Sequence, residues 1–147
     1  MILFILDVIG DILPYALILI CFFLYSLEWK PFYLFLTVLV MLEILFLNPL
    51  YKIIFTVLGF DSPRPNNNKS NGMPSGHVST LVCLSIVLMA YRRQKLAVYL
   101  SLVAIVLVAW QRVYSFHHTK TQVIGGAIQG TLDAICVLFL LRNVVLC

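Results

Sequence analysis

Long apolar runs separated by short polar interruptions dominate the chain, and this pattern predicts helices that cross lipid. A span needs about 20 mostly apolar residues. Five runs are candidates, the shorter ones with extensions. The first runs from about Ile12 to Leu27, with Met1 to Leu6 as an apolar lead-in, and the second from Pro31 to about Leu50, with room to continue to Phe60. The third covers Val78 to Tyr91, extended backwards by Pro74-Ser75-Gly76-His77. The fourth covers Leu96 to Trp110, continuing to about Tyr114, and the fifth Val123 to Leu141. The runs do not alternate apolar and polar residues as barrel strands do, so helices are expected. The expected fold is all-α: a polytopic membrane bundle of about five transmembrane helices, forming a single domain over residues 1–147.

Composition agrees. Of the 147 residues, 62% are hydrophobic and 11% charged, whereas a soluble domain has about a quarter charged. A water-soluble enzyme, a disordered tail and a nucleic-acid partner are all disfavoured, despite a net charge of +4. The bilayer is the expected surrounding. Cys21, Cys83 and Cys136 lie inside apolar runs and no two cysteines form a CxxC pair, so they read as packing residues. Asp7 and Asp11 stand where a cleavable signal would carry basic residues.

Two polar stretches are longer than turns: DSPRPNNNKSNGMPSG, from Asp61 to Gly76, and QRVYSFHHTKTQ, from Gln111 to Gln122. Two spans separate them, so five crossings place both on one face. The opposite face carries Lys30, Arg92, Arg93, Lys95 and Arg142 against Glu28. The positive-inside rule makes that face cytoplasmic. Both polar stretches are then expected on the non-cytoplasmic face, in the endoplasmic reticulum lumen or outside the plasma membrane.

Most of the ionisable chemistry sits in those two stretches. The first supplies Arg64 and His77, the second Arg112, His117 and His118, with Lys52, Lys69 and Lys120 nearby. Arginine grips phosphate through paired charge-assisted hydrogen bonds. Histidine moves protons near neutral pH and can act as a nucleophile. This combination suggests phosphoryl transfer. Asp61 is the one carboxylate in the outer stretches, so a metal site has little support and no cofactor is expected. Pro74-Ser75-Gly76-His77 suits a helix start, where Ser75 or Gly76 can offer backbone N–H groups to an anion. Gln122 lies four residues after His118, a spacing that puts both on one helical face, so Gln122 can orient the His118 ring. His117 points elsewhere under that geometry.

Arg64-Pro65, then Pro74-Ser75-Gly76-His77, then Arg112 with five residues before His118, resemble the three motifs of the type 2 phosphatidic acid phosphatase superfamily. The resemblance covers about Arg64 to Gly130. It is similar in finer detail to dolichyl diphosphate phosphatases, through Arg112-Val113-Tyr114, His118-Thr119, Gln122-Val123 and Gly126. Those proteins carry glutamine where most of the superfamily has aspartate. The resemblance implies a metal-independent phosphatase acting on a lipid phosphate, by preference a polyprenyl diphosphate, through a phosphohistidine intermediate. His118 would be the nucleophile and His77 the acid and base. Arg64, Arg112 and the Ser75 and Gly76 backbone would bind phosphate, and Gln122 would orient His118. A phosphatidate-type phosphatase, or a non-catalytic protein that keeps a lipid-phosphate grip, are the alternatives. Two positions depart from the pattern: Gln111 replaces the serine before the arginine, and Val57 occupies the first-motif lysine position. Lys52 and Lys69 are the candidates to replace that lysine.

Glu43 and Asp133 fall mid-span, where charge is expensive. They are expected to be protonated, or paired with each other or with Arg142. Gly126 and Gly130 form a small-xxx-small face suited to helix packing. Trp29, Tyr33, Trp110 and Tyr114 read as interfacial anchors.

The topology has a direct check. With native cysteines replaced, Asn67→Cys should react with a membrane-impermeant thiol reagent from the non-cytoplasmic side, and Gln94→Cys only after permeabilisation. The reverse labelling would place both polar stretches in the cytoplasm.

Overall fold

A computed structural model describes residues 31–60, 62–66, 71–92 and 95–145, together with residues 8, 11–13, 15, 16, 19, 20 and 23. The first candidate span falls largely outside the described residues. Asp61, Lys69, Arg93 and Cys21 also lie outside them. Everything else forms helices joined by two polar loops, and the described residues form no strand beyond one isolated bridge between Pro63 and Asn71.

The second candidate span is one rod, Pro31–Val57, of 27 residues. It comprises α1 (Pro31–Leu42), a wider π turn (Glu43–Leu47) and α2 (Asn48–Val57). Pro49 accounts for the wide turn. Proline has no N–H to give the fourth residue back, and its ring crowds that carbonyl. A π turn relieves the crowding by spacing the backbone bonds one residue further apart, as in the Asn48 N–H donating to the Glu43 carbonyl. At 1.5 Å per residue the rod is about 40 Å long, more than the apolar thickness of a bilayer. Its far end therefore reaches the polar loop. The remaining helices are α3 (Gly76–Arg92), α4 (Lys95–Tyr114) and α5 (Lys120–Val145).

The bundle is inside-out relative to a soluble domain. Leu45, Phe46, Val106, Leu107, Ile128, Ile135 and Phe139 face outward, while Glu43, Asn48, Ser79, Gln122, Gln129 and Asp133 are buried. Outward apolar side chains need lipid, and buried polar ones need each other. The rod and Lys120–Arg142 are each long and apolar enough to cross a membrane, and the shorter Gly76–Tyr91 and Val98–Tyr114 are apolar as well. One apolar cluster joins α1 to α3 and α5 through Leu36, Val40, Cys83, Val87 and Ala134.

Among the described helices, α3 and α5 share the most extensive contact. Gly126 lies against the Ser75 carbonyl and Gly130 against the Ser79 carbonyl, so close that a Cβ at either glycine would collide with backbone. Gly126 and Gly130, four apart on α5, let its backbone meet Ser75, just before α3, and Ser79 within it, as the glycine spacing predicts. This contact holds the start of α3 against the first turns of α5, and both carry site residues.

Gly126→Ala and Gly130→Ala should each destabilise the protein. Overpacking of this kind costs about 1–3 kcal/mol. Thermal unfolding in detergent checks it, with Ala127→Gly as the control for helix propensity on the same helix. A melting temperature unchanged in both alanine variants would mean the helices do not meet at these carbonyls.

Candidate active site

Three backbone devices bring the two polar stretches together. The first ends α4. Phe116 adopts a left-handed backbone, φ 56, and its N–H donates to the Val113 carbonyl at 3.2 Å. The chain reverses there, and the His118 N–H donates to the Arg112 carbonyl at 2.9 Å. The Arg112–His118 spacing is thus the spacing of a helix end, which returns His118 beside the arginine in the helix's last turn.

The second device starts α5. Thr119 caps the helix, and Gln122 completes a reciprocal pair with it. The Gln122 N–H donates to Thr119 Oγ1 at 3.3 Å, and the Thr119 N–H donates to Gln122 Oε1 at 3.0 Å. This is a capping box, threonine followed three residues later by glutamine. His118 therefore precedes the helix, which corrects the expectation that it shares a helical face with Gln122. The contact itself is present: His118 Nδ1 and Gln122 Oε1 are 3.1 Å apart.

The third device fastens the first loop. Gln122 Nε2 donates to the Ser62 carbonyl at 3.0 Å, Ser62 Oγ at 2.9 Å and the Pro63 carbonyl at 3.1 Å. The Gly72 N–H donates to the Ser62 carbonyl at 2.8 Å, closing the loop. Gly72 is required here, because a Cβ would come within 2.5 Å of the Gln122 amide. The Ser75 N–H donates to the Gln122 carbonyl at 3.0 Å. This last bond alters the expectation for Ser75, whose amide is engaged with protein; Gly76 is the member of the pair that faces the cavity.

The devices surround a cavity of about 350 Å³, lined by Lys52, Arg64, Gly76, His77, Arg112 and His118 on its polar side. Tyr15, Ile44 and Pro49 supply apolar wall, and Asn48 and Thr80 complete the lining. Helix geometry separates Lys52 from Val57. Five residues separate Lys52 from Val57, a rotation of about 140° around the helix. Lys52 faces the cavity with Asn48, one turn back, while Val57 is 79% exposed on the outer surface. His117 is outside the cavity wall, with its Nδ1 3.4 Å from Asn66 Nδ2.

The electrostatics are strongly one-sided. Arg112 is buried and Arg64 Nε is buried without a hydrogen-bond partner. Burial, and then the neighbouring Arg112, depress the Arg64 guanidinium below its ordinary value. Burial, followed by the field of Arg64, pulls the His118 imidazole down to about 3, against the opposing hydrogen bond from Gln122. The ring is consequently neutral at physiological pH. One carboxylate reaches this cluster among the described residues: Asp11 pairs with Arg112 Nη2. Asp11 and Tyr15, distant in sequence, carry no local motif that ties them to Arg112. Ser62 is likewise invisible to motif reading, whereas the Thr119–Gln122 box was readable as Thr-x-x-Gln. Among the described residues no three His, Cys, Asp or Glu side chains gather as a metal-ligand set.

No curated protein and no solved structure matches the chain. A family model does match, over residues 49–144, well over half of the chain. That segment begins one residue after Asn48 and contains Lys52, Arg64, Gly76, His77, Arg112, His118 and Gln122. The chain therefore belongs to the PAP2 superfamily, whose members are phosphatases of lipid phosphates.

Proposed function

We propose that the chain is a membrane phosphatase whose nucleophile is His118 and whose preferred substrate is a polyprenyl diphosphate. The observation that carries this reading is the convergence of two histidines and three cationic side chains on one cavity with an apolar wall. Gln122 Oε1 accepts from the Nδ1 side of His118, which leaves the Nε2 lone pair for phosphorus. The depressed basicity keeps that lone pair unprotonated.

In the first half-reaction, Nε2 bonds to phosphorus while the bond from phosphorus to the leaving oxygen breaks. His77, protonated once the substrate's negative charge is bound beside it, gives that oxygen a proton. In the second, His77 takes a proton from water, the water oxygen bonds to phosphorus, and the phosphorus–nitrogen bond breaks to regenerate His118. Lys52, Arg64, Arg112 and the Gly76 N–H hold the oxygens on which transition-state charge spreads. The three fixed cations supply that stabilisation with no metal ion in the scheme. Ile44, Pro49 and Tyr15 suit the first carbons of a lipid tail. The choice of a polyprenyl diphosphate rests on the Gln122 resemblance, and the choice of the non-cytoplasmic face on loop charges. A grip without turnover is disfavoured, because Lys52 supplies the cation that Val57 cannot.

Phosphate release by the detergent-solubilised chain tests this reading, with a polyprenyl diphosphate, a polyprenyl monophosphate and a phosphatidate compared, each with and without EDTA. Release should survive EDTA and be fastest with the diphosphate. His118→Ala should reduce it by at least about a thousandfold, as loss of a nucleophile does, while His117→Ala keeps most of it. Essential His117 with dispensable His118 would refute the assignment.

Gln122 yields a separate prediction. Its Nε2 donates to three oxygens, so a carboxylate there would lose those donations and set its charge against carbonyls. Gln122→Asp and Gln122→Glu should give no gain in kcat. Gln122→Ala should lower kcat at least tenfold, the equivalent of about 1.4 kcal/mol and the size of one buried hydrogen bond. Faster turnover by either acidic variant would show that the pocket is not built around a neutral partner.

A further inference from the structure

A continuous line of buried polar side chains runs from the middle of the bundle to the cavity. It begins at Asp133 on α5, which is 7% exposed. Asp133 Oδ1 accepts from the Tyr51 hydroxyl at 2.8 Å and Oδ2 accepts from Gln129 Nε2 at 3.2 Å. Gln129 Nε2 also reaches Asn48 Oδ1 at 3.4 Å. Asn48 Nδ2 then donates to Thr80 Oγ1 at 3.0 Å and to the Gly76 carbonyl at 3.4 Å. Asn48, Thr80 and Gly76 all line the cavity.

Such a line has two possible directions. A glutamine or asparagine amide keeps its shape when it turns over, but exchanges donor for acceptor. Hydroxyls at Tyr51 and Thr80 adapt to either direction. Asp133 is the member that offers oxygen at both ends, so it is the group that sets the direction. Gln129 carries the mark of this: its Oε1 is buried with no hydrogen-bond partner. An amide free to choose would not leave its acceptor unpaired. Held by Asp133, Gln129 presents its NH2 to Asn48, and Asn48 presents its own NH2 to Gly76.

Reversal would set Asn48 Oδ1 against the Gly76 carbonyl, oxygen facing oxygen. Space there is tight, since a Cβ on Gly76 would come within 3.1 Å of Asn48 Cγ. Repulsion would push the opening of α3, with Gly76 and His77, away from the cavity wall. Glu43 stands beside Asp133 and Cys83, and among the described residues no hydrogen bond joins it to Gln129 or Asn48, so it does not substitute in the line.

We propose that Asp133 is a positioning residue for the cavity, acting through Gln129 and Asn48 on the start of α3. Its kinetic readout rests on the phosphatase reading, so the test also measures binding of inorganic phosphate, which needs no turnover. Asp133→Ala should weaken phosphate binding and lower kcat/KM, each by about tenfold, the effect of one lost buried hydrogen bond. Gln129→Leu should do the same while leaving Asp133 bonded to Tyr51. The double variant should be no worse than about threefold beyond either single, because both remove one line. Asp133→Asn should retain function, since its carbonyl can face Gln129 while the Tyr51 hydroxyl turns to accept from the new NH2.

A purely structural Asp133 would give a lower melting temperature with unchanged phosphate affinity and unchanged kcat/KM in the folded fraction. That result, or fully additive effects with Gln129→Leu, overturns the inference and leaves the phosphatase reading intact. If Asp133→Ala does not fold, Gln129→Leu decides, and wild-type phosphate affinity in that variant overturns the inference. Wild-type protein that binds phosphate without hydrolysing any lipid substrate fails the phosphatase reading alone, and the binding comparison still decides on Asp133. Wild-type protein that binds no phosphate removes both.

Discussion

The Gln122 side-chain amide is the contact on which the site depends. Its carbonyl oxygen accepts from the Thr119 backbone and meets the His118 ring, and its NH2 ties down Ser62 and Pro63. Its backbone carbonyl takes the Ser75 N–H. One residue thereby fixes the segments that carry Arg64, His77 and His118. A single hydrogen bond contributes only about 1 kcal/mol net. The larger consequence comes from burial: Gln122 is wholly buried, so its polar atoms must all be satisfied by the protein, and one arrangement of the three segments satisfies them together. An aspartate could reach the imidazole but would have no N–H for the loop. This explains in physical terms why a neutral residue suits this chain.

The bundle makes that arrangement possible by bringing backbones close. Gly126 and Gly130 let α5 lie against the Ser75 and Ser79 carbonyls. In lipid, apolar side chains gain little by leaving one apolar medium for another, so association relies on close packing and hydrogen bonds. The same logic places Asn48, Thr80, Gln129 and Asp133 inside and the large apolar residues outside. Buried polar groups serve both as packing specificity for the helices and as the floor of the cavity.

Much of this was legible in the sequence, because several determinants are local. Helices longer than 18 residues announce themselves by composition, and the helical ends at Tyr114 and Arg92 agree with the apolar runs. Arg64, His77, Arg112 and His118 stand in short motifs and meet at one cavity. The misreadings have physical causes. The four-residue step from His118 to Gln122 looked helical, but the positive φ at Phe116 and the Thr119 cap end one helix and begin another between Arg112 and Gln122. Ser75 looked like an anion donor because a helix begins there, yet its N–H is claimed by a residue 47 positions on, in Gln122. Lys52 reaches the cavity because the helix continues past residue 50, as the apolar run allows. Asp11 and Asn48 have partners too distant in sequence for any local pattern to show.

The cavity finally depends on a balance of charge. Lys52, Arg64 and Arg112 share a half-buried space, where like charges repel more strongly than they would in water. The bundle offsets this in two ways visible in the structure. Asp11 lies on Arg112 at the rim, and both histidine rings supply polarity to the wall while His118 adds no charge. Burial depresses His118 basicity first, and the cationic field that adds to it is the same field that would favour a phosphate dianion. An imidazole kept unprotonated by burial and by its neighbours, and a cavity whose charge attracts anions, are two results of one arrangement. Adding a carboxylate beside His118 would raise its basicity and weaken that field together, so the neutral amide at Gln122 is consistent with the electrostatics as well as with the hydrogen bonds.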